Sequence, residues 1–382
     1  MKAHRNNFDL IRLLAALQVA AYHGITHFHV PIHPFLGSLL GSFPGVQSFF
    51  CISGFLIARS VERNRDDFKT YAWSRVLRVY PALIVCSTIW LGLMLALGVF
   101  HGVEWWRVVS WYLGAAAIGG SGINPDFFRS FGMGVWNAAL WTVGVEIAFY
   151  VLLPILYLMD RWGAAFLDRI FCVLCLASFA LFLGFNGLNY GDTRHFGGLT
   201  KAVWFSLPGN LWMLLFGTII HRQFKRLGPL LSGKVLWWLA GYIALVFATR
   251  GLASGAGGKA IEAAILFIVR LALALLTVSA AFSFRGLGDF LLRGNDISYG
   301  LYVYHLPVYN LFIQYGLGAA QWFPLALAGG ILCGCASWIF LECRMLGLKD
   351  RFRAAVKTDV KVKTQETRSD ILTIGPQGGT IE

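Results

Sequence analysis

Residues 8–29 read FDLIRLLAALQVAAYHGITHFH. About twenty mostly apolar, helix-permitting residues suffice for one bilayer crossing. The stretch nevertheless carries Asp9, Arg12, His23 and His27. A charge inside a membrane helix costs at least about 2–3 kcal/mol, so such residues usually face a polar interior and mark a functional path. Arg12 and His23 return to nearly the same helix face, about 16 Å apart along the axis. Asp9 lies one turn before Arg12 on that stripe, and His27 one turn after His23. The stripe therefore predicts a cation near one membrane surface and an imidazole about halfway through. A plainer alternative has Arg12 snorkelling to the interface and His23 hydrogen-bonded inside a bundle. The shared face, with an acid beside it, favours a functional path.

The rest of the chain reads the same way. Of 382 residues, 57% are hydrophobic and 13% charged, with a mean hydropathy of +0.63. Soluble domains carry about 25% charged residues. The fold class expected is all-α: a polytopic membrane helix bundle of about ten transmembrane helices. Long continuous apolar runs exclude a β-barrel, whose strands alternate. The formal charge of +13 does not signal nucleic-acid binding, because Lys and Arg cluster in short loops between apolar runs. Cys172-x-x-Cys175 and Cys333-x-Cys335 lack the second pair or nearby histidines that a metal site needs, so they read as core residues and no metal is expected.

Ten spans can be drawn, near 8–28, 41–59, 80–100, 135–158, 166–186, 202–220, 234–249, 260–282, 297–315 and 321–341. A basic loop with Arg63, Arg65, Lys69, Arg75 and Arg78 precedes the third. The half-apolar, Trp-rich stretch within 101–134 reads as an interfacial or re-entrant helix. Placing the N-terminus in the cytoplasm puts most Lys and Arg inside, and an even number of spans returns the C-terminus there. The expected domains are a membrane domain over 1–345 and a cytoplasmic polar tail over 346–382, expected to be disordered.

Four further constellations stand out. Arg75 and Arg78, in YAWSRVLRVYPAL, are one turn apart; guanidiniums bind phosphate bidentately, although from composition alone ordinary positive-inside charge on lipid headgroups is the better account. Glu146 has apolar neighbours nearly all round, with Thr142 one turn before it and Tyr150 one turn after. A carboxylate so placed must pair, protonate or line a wet cavity, and Arg12 or Arg270 is a candidate partner. Ser298, Tyr302 and His305 share a face of the span that Pro307 kinks, and a backbone carbonyl freed by the kink is a possible bond for His305. In GVQSFFCISGFLIARS, Ser53-Gly54 allows close helix approach.

Together these residues resemble the acyltransferase family 3 membrane O-acyltransferases, over roughly residues 8–345. The opening FDLIRLLAALQVAAYH is similar to the family's first helix, where an Arg and a His, here Arg12 and His23, flank ten residues. GVQSFFCISGFLIARS resembles its second-helix motif, with Gln47 or Ser48 where the family usually has Asp. YAWSRVLRVYPAL resembles its Arg-x-x-Arg motif. LWTVGVEIAFYVLLP resembles its Trp-Thr/Ser…Glu…Phe-Tyr motif, giving Trp141, Glu146, Phe149 and Tyr150. ISYGLYVYHLPV resembles its Ser-Tyr…Leu-Tyr…His…Pro motif.

The resemblance implies acyl transfer, most often of acetyl, from cytoplasmic acyl-CoA as co-substrate to a hydroxyl of a carbohydrate: O-antigen, exopolysaccharide or a lipid-linked glycan. It implies a multi-pass protein of the bacterial inner membrane, in contact with lipid, with no permanently bound cofactor. His23 is expected to serve as base or acyl carrier, with Asp9, Glu146 or another polar partner orienting it. Arg12, Arg75 and Arg78 are expected to hold the CoA phosphates. Ser53, Trp141, Thr142, Tyr150, Ser298, Tyr302 and His305 are expected along the substrate path, with Tyr302 and His305 supporting the tetrahedral intermediate. The 101–134 region and the 187–201 loop are expected to face the acceptor. Competing readings are a proton-coupled transporter or flippase of a glycan-related solute, and a structural subunit of an export complex.

Overall fold

The structure is a computed structural model and describes residues 6–65, 67–120, 124–186, 198–249 and 258–348. Most of the expected 187–201 loop and of the 346–382 tail lie outside those residues. The described chain is helical throughout, with no strand among the described residues. In order, the helices are α1 Phe8–His27, α2 Pro34–Ser42, α3 Gly45–Arg63, α4 Phe68–Ala96, α5 Trp105–Ile118, α6 Trp141–Tyr157, α7 Ala164–Asn186 and α8 Gly198–Trp204. They continue as α9 Leu207–Arg222, α10 Phe224–Leu231, α11 Val235–Thr249, α12 Gly258–Ala281, α13 Leu287–Leu292, α14 Ser298–Gln314 and α15 Phe323–Ser337. Eight helical stretches among the described residues are long and apolar enough to cross a bilayer. A ninth is added if α10 and α11, bent by 88°, count as one. The span expected at 297–315 is α14, whose 17 residues make it shorter than any of these.

Two local expectations change. The basic loop before the third span is largely helix: Asp67 caps α4 by accepting from the Thr70 amide at 2.9 Å, and α4 then runs unbroken through Pro81. Proline suits a first helical turn, which drew the expected boundary to residue 80, but an interior proline only removes one backbone bond when the flanking turns are packed. Arg75 and Arg78 therefore project from a regular helix. α5, in contrast, is the short helix that the Trp-rich stretch suggested. Its 14 residues rise about 21 Å, below the about 30 Å of a bilayer core, and Trp105 and Trp106 are exposed at its start.

Glycine sets the closest approaches, as expected where lipid provides no hydrophobic drive between helices. A Cβ on Gly54 of α3 would sit 1.8 Å from the Leu214 carbonyl of α9, and one on Gly217 of α9 would sit 1.9 Å from the Cys51 carbonyl. The two backbones touch, so the register of α3 is fixed. α14 meets α15 similarly: a Cβ on Gly334 would lie 2.7 Å from the Leu301 amide nitrogen. α1 is held at three levels. The Asn7 amide donates to the Ala281 carbonyl at 2.8 Å. Gln18 accepts from the Gly45 amide at 2.8 Å and donates to the Leu40 carbonyl at 3.1 Å. The Tyr309 hydroxyl of α14 donates to the Ala20 carbonyl at 3.0 Å. α1, α3, α4, α6 and α14 thus surround a central cavity.

Candidate active site

Most of the expected site residues line that cavity. α1 contributes Arg12, α3 Ser53, α4 Arg75 and Arg78, α6 Thr142, Glu146 and Tyr150, and α14 Ser298 and Tyr302. The motifs are scattered over the chain because each helix supplies one stripe, and helical periodicity turns each stripe inward.

Glu146 sits on the wall with no cation at hydrogen-bond distance among the described residues. Its Oε1 accepts from the Ser53 hydroxyl and from the Tyr150 hydroxyl, both at 2.7 Å. The Arg12 and Arg270 pairings considered for it are replaced by two hydroxyls. The Tyr150 backbone carbonyl accepts from the Tyr71 hydroxyl at 2.8 Å, which ties α6 to α4. Trp141 does not line the cavity; its ring packs between Phe50 at 6.0 Å and Phe205 at 5.4 Å.

Arg12 and Arg78 share one carboxylate, Asp296, which the sequence analysis passed over. Arg78 Nη2 donates to Asp296 Oδ2 at 2.6 Å, and Arg12 Nη1 lies 3.8 Å from the same oxygen. Asp296 Oδ1 accepts from both the Ser298 amide and the Ser298 hydroxyl. Burial alone would raise the Asp296 carboxyl; the Arg78 and Arg12 guanidiniums outweigh it and hold the group down at about 2. The signal was present in NDIS: an acidic side chain just ahead of a helix start, where its oxygens can cap the first turn. Asp9 is mostly exposed and pairs with Arg12 at 3.3 Å. It therefore serves the arginine end of the stripe and does not orient His23, 14 residues further on.

The partner of His23 is His305. His23 Nδ1 lies 3.0 Å from His305 Nε2, and the two rings are within 7° of parallel. His305 Nδ1 faces two carbonyl oxygens, Tyr302 at 2.9 Å and Leu301 at 3.2 Å. Carbonyls only accept, so Nδ1 of His305 carries the proton and Nε2 presents a lone pair. His23 Nδ1–H then donates to that lone pair, leaving His23 Nε2 unprotonated. The carbonyl freed by Pro307 is not the one His305 uses. Pro307 leaves the Val303 carbonyl without its helical donor, and the Asn137 amide fills that place at 2.8 Å.

The histidine pair lies one turn of α14 beyond Tyr302, the last cavity-lining residue of that helix. The Tyr302 hydroxyl is 2.7 Å from the Thr142 hydroxyl and donates to the Ala139 carbonyl at 2.9 Å. Phe49 packs edge-on against the Tyr302 ring at 5.4 Å. The site is therefore linear: arginines at one end, a serine–glutamate–tyrosine set along the wall, and a paired histidine with an open lone pair past the other end.

Comparison with known proteins matches this arrangement to one family. The family model described as an acyltransferase domain, acyltransferase family 3, matches residues 5–342. The chain is 31% identical to nodulation protein 10 of Rhizobium leguminosarum bv. viciae, over 89% of this chain and 92% of that one. It is 24% identical to an O-acetyl transferase of Shigella phage Sf6, over 90% of this chain and 97% of that one. A putative O-acetyltransferase of Staphylococcus aureus (strain COL) is 24% identical over 56% of this chain and 33% of its own length. No solved structure matches the chain. With five motif-bearing helices around one cavity and a family match over nearly its whole length, the chain belongs to acyltransferase family 3, as an integral membrane acyltransferase.

Proposed function

We propose that this membrane O-acyltransferase moves an acetyl group from cytoplasmic acetyl-CoA to a hydroxyl of a cell-surface or lipid-linked carbohydrate, with His23 as the catalytic base. The observation that carries the reading is the open Nε2 of His23, set by its bond to His305, one helical turn beyond a cavity whose other end is lined by arginines. The acetyl group is supported by the names of the relatives above, and the cytoplasmic donor side by the positive-inside bias of the loops. A bacterial inner membrane, with both termini in the cytoplasm, follows from the same reading. So does the division into a membrane domain over 1–345 and a polar tail over 346–382.

The donor phosphates would rest against Arg75, Arg78 and Arg12. From Arg12 to His23 is about 16 Å of helix, a length that an extended pantetheine arm covers. The arm would pass Ser53, Glu146, Tyr150 and Thr142, and bring the thioester carbonyl past Tyr302. His23 Nε2 takes the acceptor hydroxyl's proton as that oxygen attacks the carbonyl carbon. The resulting imidazolium is stabilised through Nδ1–H by the lone pair of His305, which the Tyr302 and Leu301 carbonyls hold in position. The tetrahedral intermediate collapses by breaking the C–S bond, and the proton on His23 passes to the departing thiolate. Products are the acetyl ester and CoA. The same lone pair also suits a transient acetyl-imidazole, in which case the acceptor attacks in a second step.

The test is expression in the source cell lacking the native gene, with mass spectrometry of ester-linked acyl groups on isolated glycans. Wild type should add one acetyl increment. His23→Ala, at equal membrane abundance, should lower transfer roughly 10²- to 10⁴-fold. Full transfer by a folded His23→Ala would overturn the assignment.

A further inference from the structure

The polar stripe of α1 does not stop at His23. His27 lies one turn further out and has no part in the transfer step derived above. We propose that His27 binds the acceptor: its imidazole holds a second hydroxyl of the carbohydrate while His23 takes the proton of the reacting one. The proposal rests on the carbohydrate-acceptor reading given above.

Three observations carry it. First, the imidazoles form a row with one wider step. The His305 and His23 ring centroids are 5.3 Å apart, and the rings are bonded nitrogen to nitrogen at 3.0 Å. The His23 and His27 centroids are 6.4 Å apart, and the rings are tilted by 53°. Since His305 occupies Nδ1 of His23, Nε2 is the nitrogen left for a reacting hydroxyl. A neutral imidazole offers one donor and one acceptor, so His27 can meet a neighbouring hydroxyl in either sense. Two hydroxyls of one sugar present that paired pattern.

Second, the row leads outward. His305 is fully buried, His23 and His27 are half-buried, and His29 is exposed. α1 starts at the arginine end and finishes at His27, about 6 Å beyond His23 along the axis. A surface or lipid-linked glycan approaches from that end, so it meets His27 first. Third, the His27 turn is mounted rigidly. Phe28 is fully buried, with its ring 5.4 Å from Tyr309, 6.5 Å from Phe312 and 6.1 Å from Phe323. A Cβ on Gly24, between the two histidines, would lie 2.0 Å from the Phe323 ring. The Phe28 amide closes the helix on the Gly24 carbonyl at 2.9 Å, and His29 then takes φ +53°, which turns the chain away directly after His27. A ring held in place before the ligand arrives loses little freedom on binding it.

The experiment titrates unmodified glycan, isolated from the source cell lacking the native gene, into the purified full chain in nanodiscs with saturating acetyl-CoA. His27→Ala should raise the KM for glycan roughly 10-fold, the scale of one lost hydrogen bond. The KM for acetyl-CoA should stay within a factor of about 2, and kcat at saturating glycan should fall far less than in His23→Ala. His27→Gln keeps a donor and an acceptor but is no base, and it should restore most of the glycan affinity. An unchanged KM for glycan in His27→Ala overturns the proposal. So does a fall in kcat at constant KM that glutamine does not restore, since His27 would then move the proton. A parallel rise in both KM values also overturns it, as a shift of the whole outer end of α1. If wild type modifies no glycan, the carbohydrate reading fails and the proposal with it. If His23→Ala keeps full transfer while His27→Ala raises the KM for glycan, the base assignment fails and the role of His27 stands.

Discussion

Two arginine clusters flank the end of α3, and they are wired differently. On one side Arg222 bonds Asp168 and lies 3.8 Å from Glu62 and 3.7 Å from Asp160. Its guanidinium also covers the rings of Tyr157 and Phe171. Glu62 accepts from Tyr157 at 3.0 Å and meets His221 at 2.9 Å, while Arg65 pairs with Asp160 at 2.7 Å. Every carboxylate there has a cation, and the group joins α3, α6, α7 and α9 side by side. On the other side Arg12 and Arg78 face Asp296, Asp9 pairs with Arg12, and Arg12, Arg75 and Arg78 line two voids. A cluster in which each carboxylate meets a cation is a structural joint. Arginines that line a void leave room for an anionic ligand to meet them, which is the reading proposed above. Both stretches of sequence look alike, a few arginines near a span end; only the tertiary packing around them separates the two.

The comparison can be broken at four points. Arg78→Ala should have the largest effect, since it removes a proposed donor contact and leaves Asp296 buried with one more distant cation. A loss of about 3–5 kcal/mol is expected from breaking a buried pair, read as a lowered unfolding midpoint together with weakened CoA binding. Unchanged stability would mean that Arg12 alone satisfies Asp296. Arg222→Ala should cost about 2–4 kcal/mol by the same logic but leave the CoA dissociation constant within a factor of about 2. A large change in CoA affinity at constant stability would erase the distinction between the clusters.

The third point is pH. Asp296 is held at about 2 in the folded chain, against about 3.9 for a free aspartate. Its folded value is depressed, so its contribution is fully present above about pH 4 and is lost as pH falls toward 2, by roughly 2–3 kcal/mol. Unfolding midpoints of wild type and Asp296→Asn should therefore converge across that window. Parallel profiles would show that Asp296 is not the group being titrated. The smallest effect belongs to Tyr150→Phe, which removes one of the two hydroxyls on Glu146. A loss of about 1–2 kcal/mol is expected. Ser53→Ala should match it, since Ser53 makes the equivalent bond.

How much of this was legible beforehand depends on the kind of contact. The cavity wall was legible residue by residue: Arg12, Arg75, Arg78, Glu146, Tyr150, Ser298 and Tyr302 each broke an apolar helix pattern, and burying a polar group in lipid without purpose is costly. The basic loop was misread because Pro81 marks a helix start as readily as an interior kink. Asp296 was missed because one acid ahead of a helix looks like a cap, which it also is. The pairing of Glu146 was misjudged toward a cation, whereas two hydroxyls satisfy it.

The sequence by itself determined that the chain is a bundle of membrane helices, that each polar stripe faces inward, and that Arg12 and His23 stand about 16 Å apart on one helix. Those are properties of a single helix, where spacing converts directly into geometry. Only the tertiary structure decided that His23 is oriented by His305 and not by Asp9 or Glu146, and that Arg12 and Arg78 share Asp296. Those contacts join different helices, as with the 282 residues that separate the two histidines. Helical periodicity specifies a direction around one axis but not which other axis lies there. That choice was made by the glycine contacts that let α3 meet α9 and α14 meet α15 backbone to backbone.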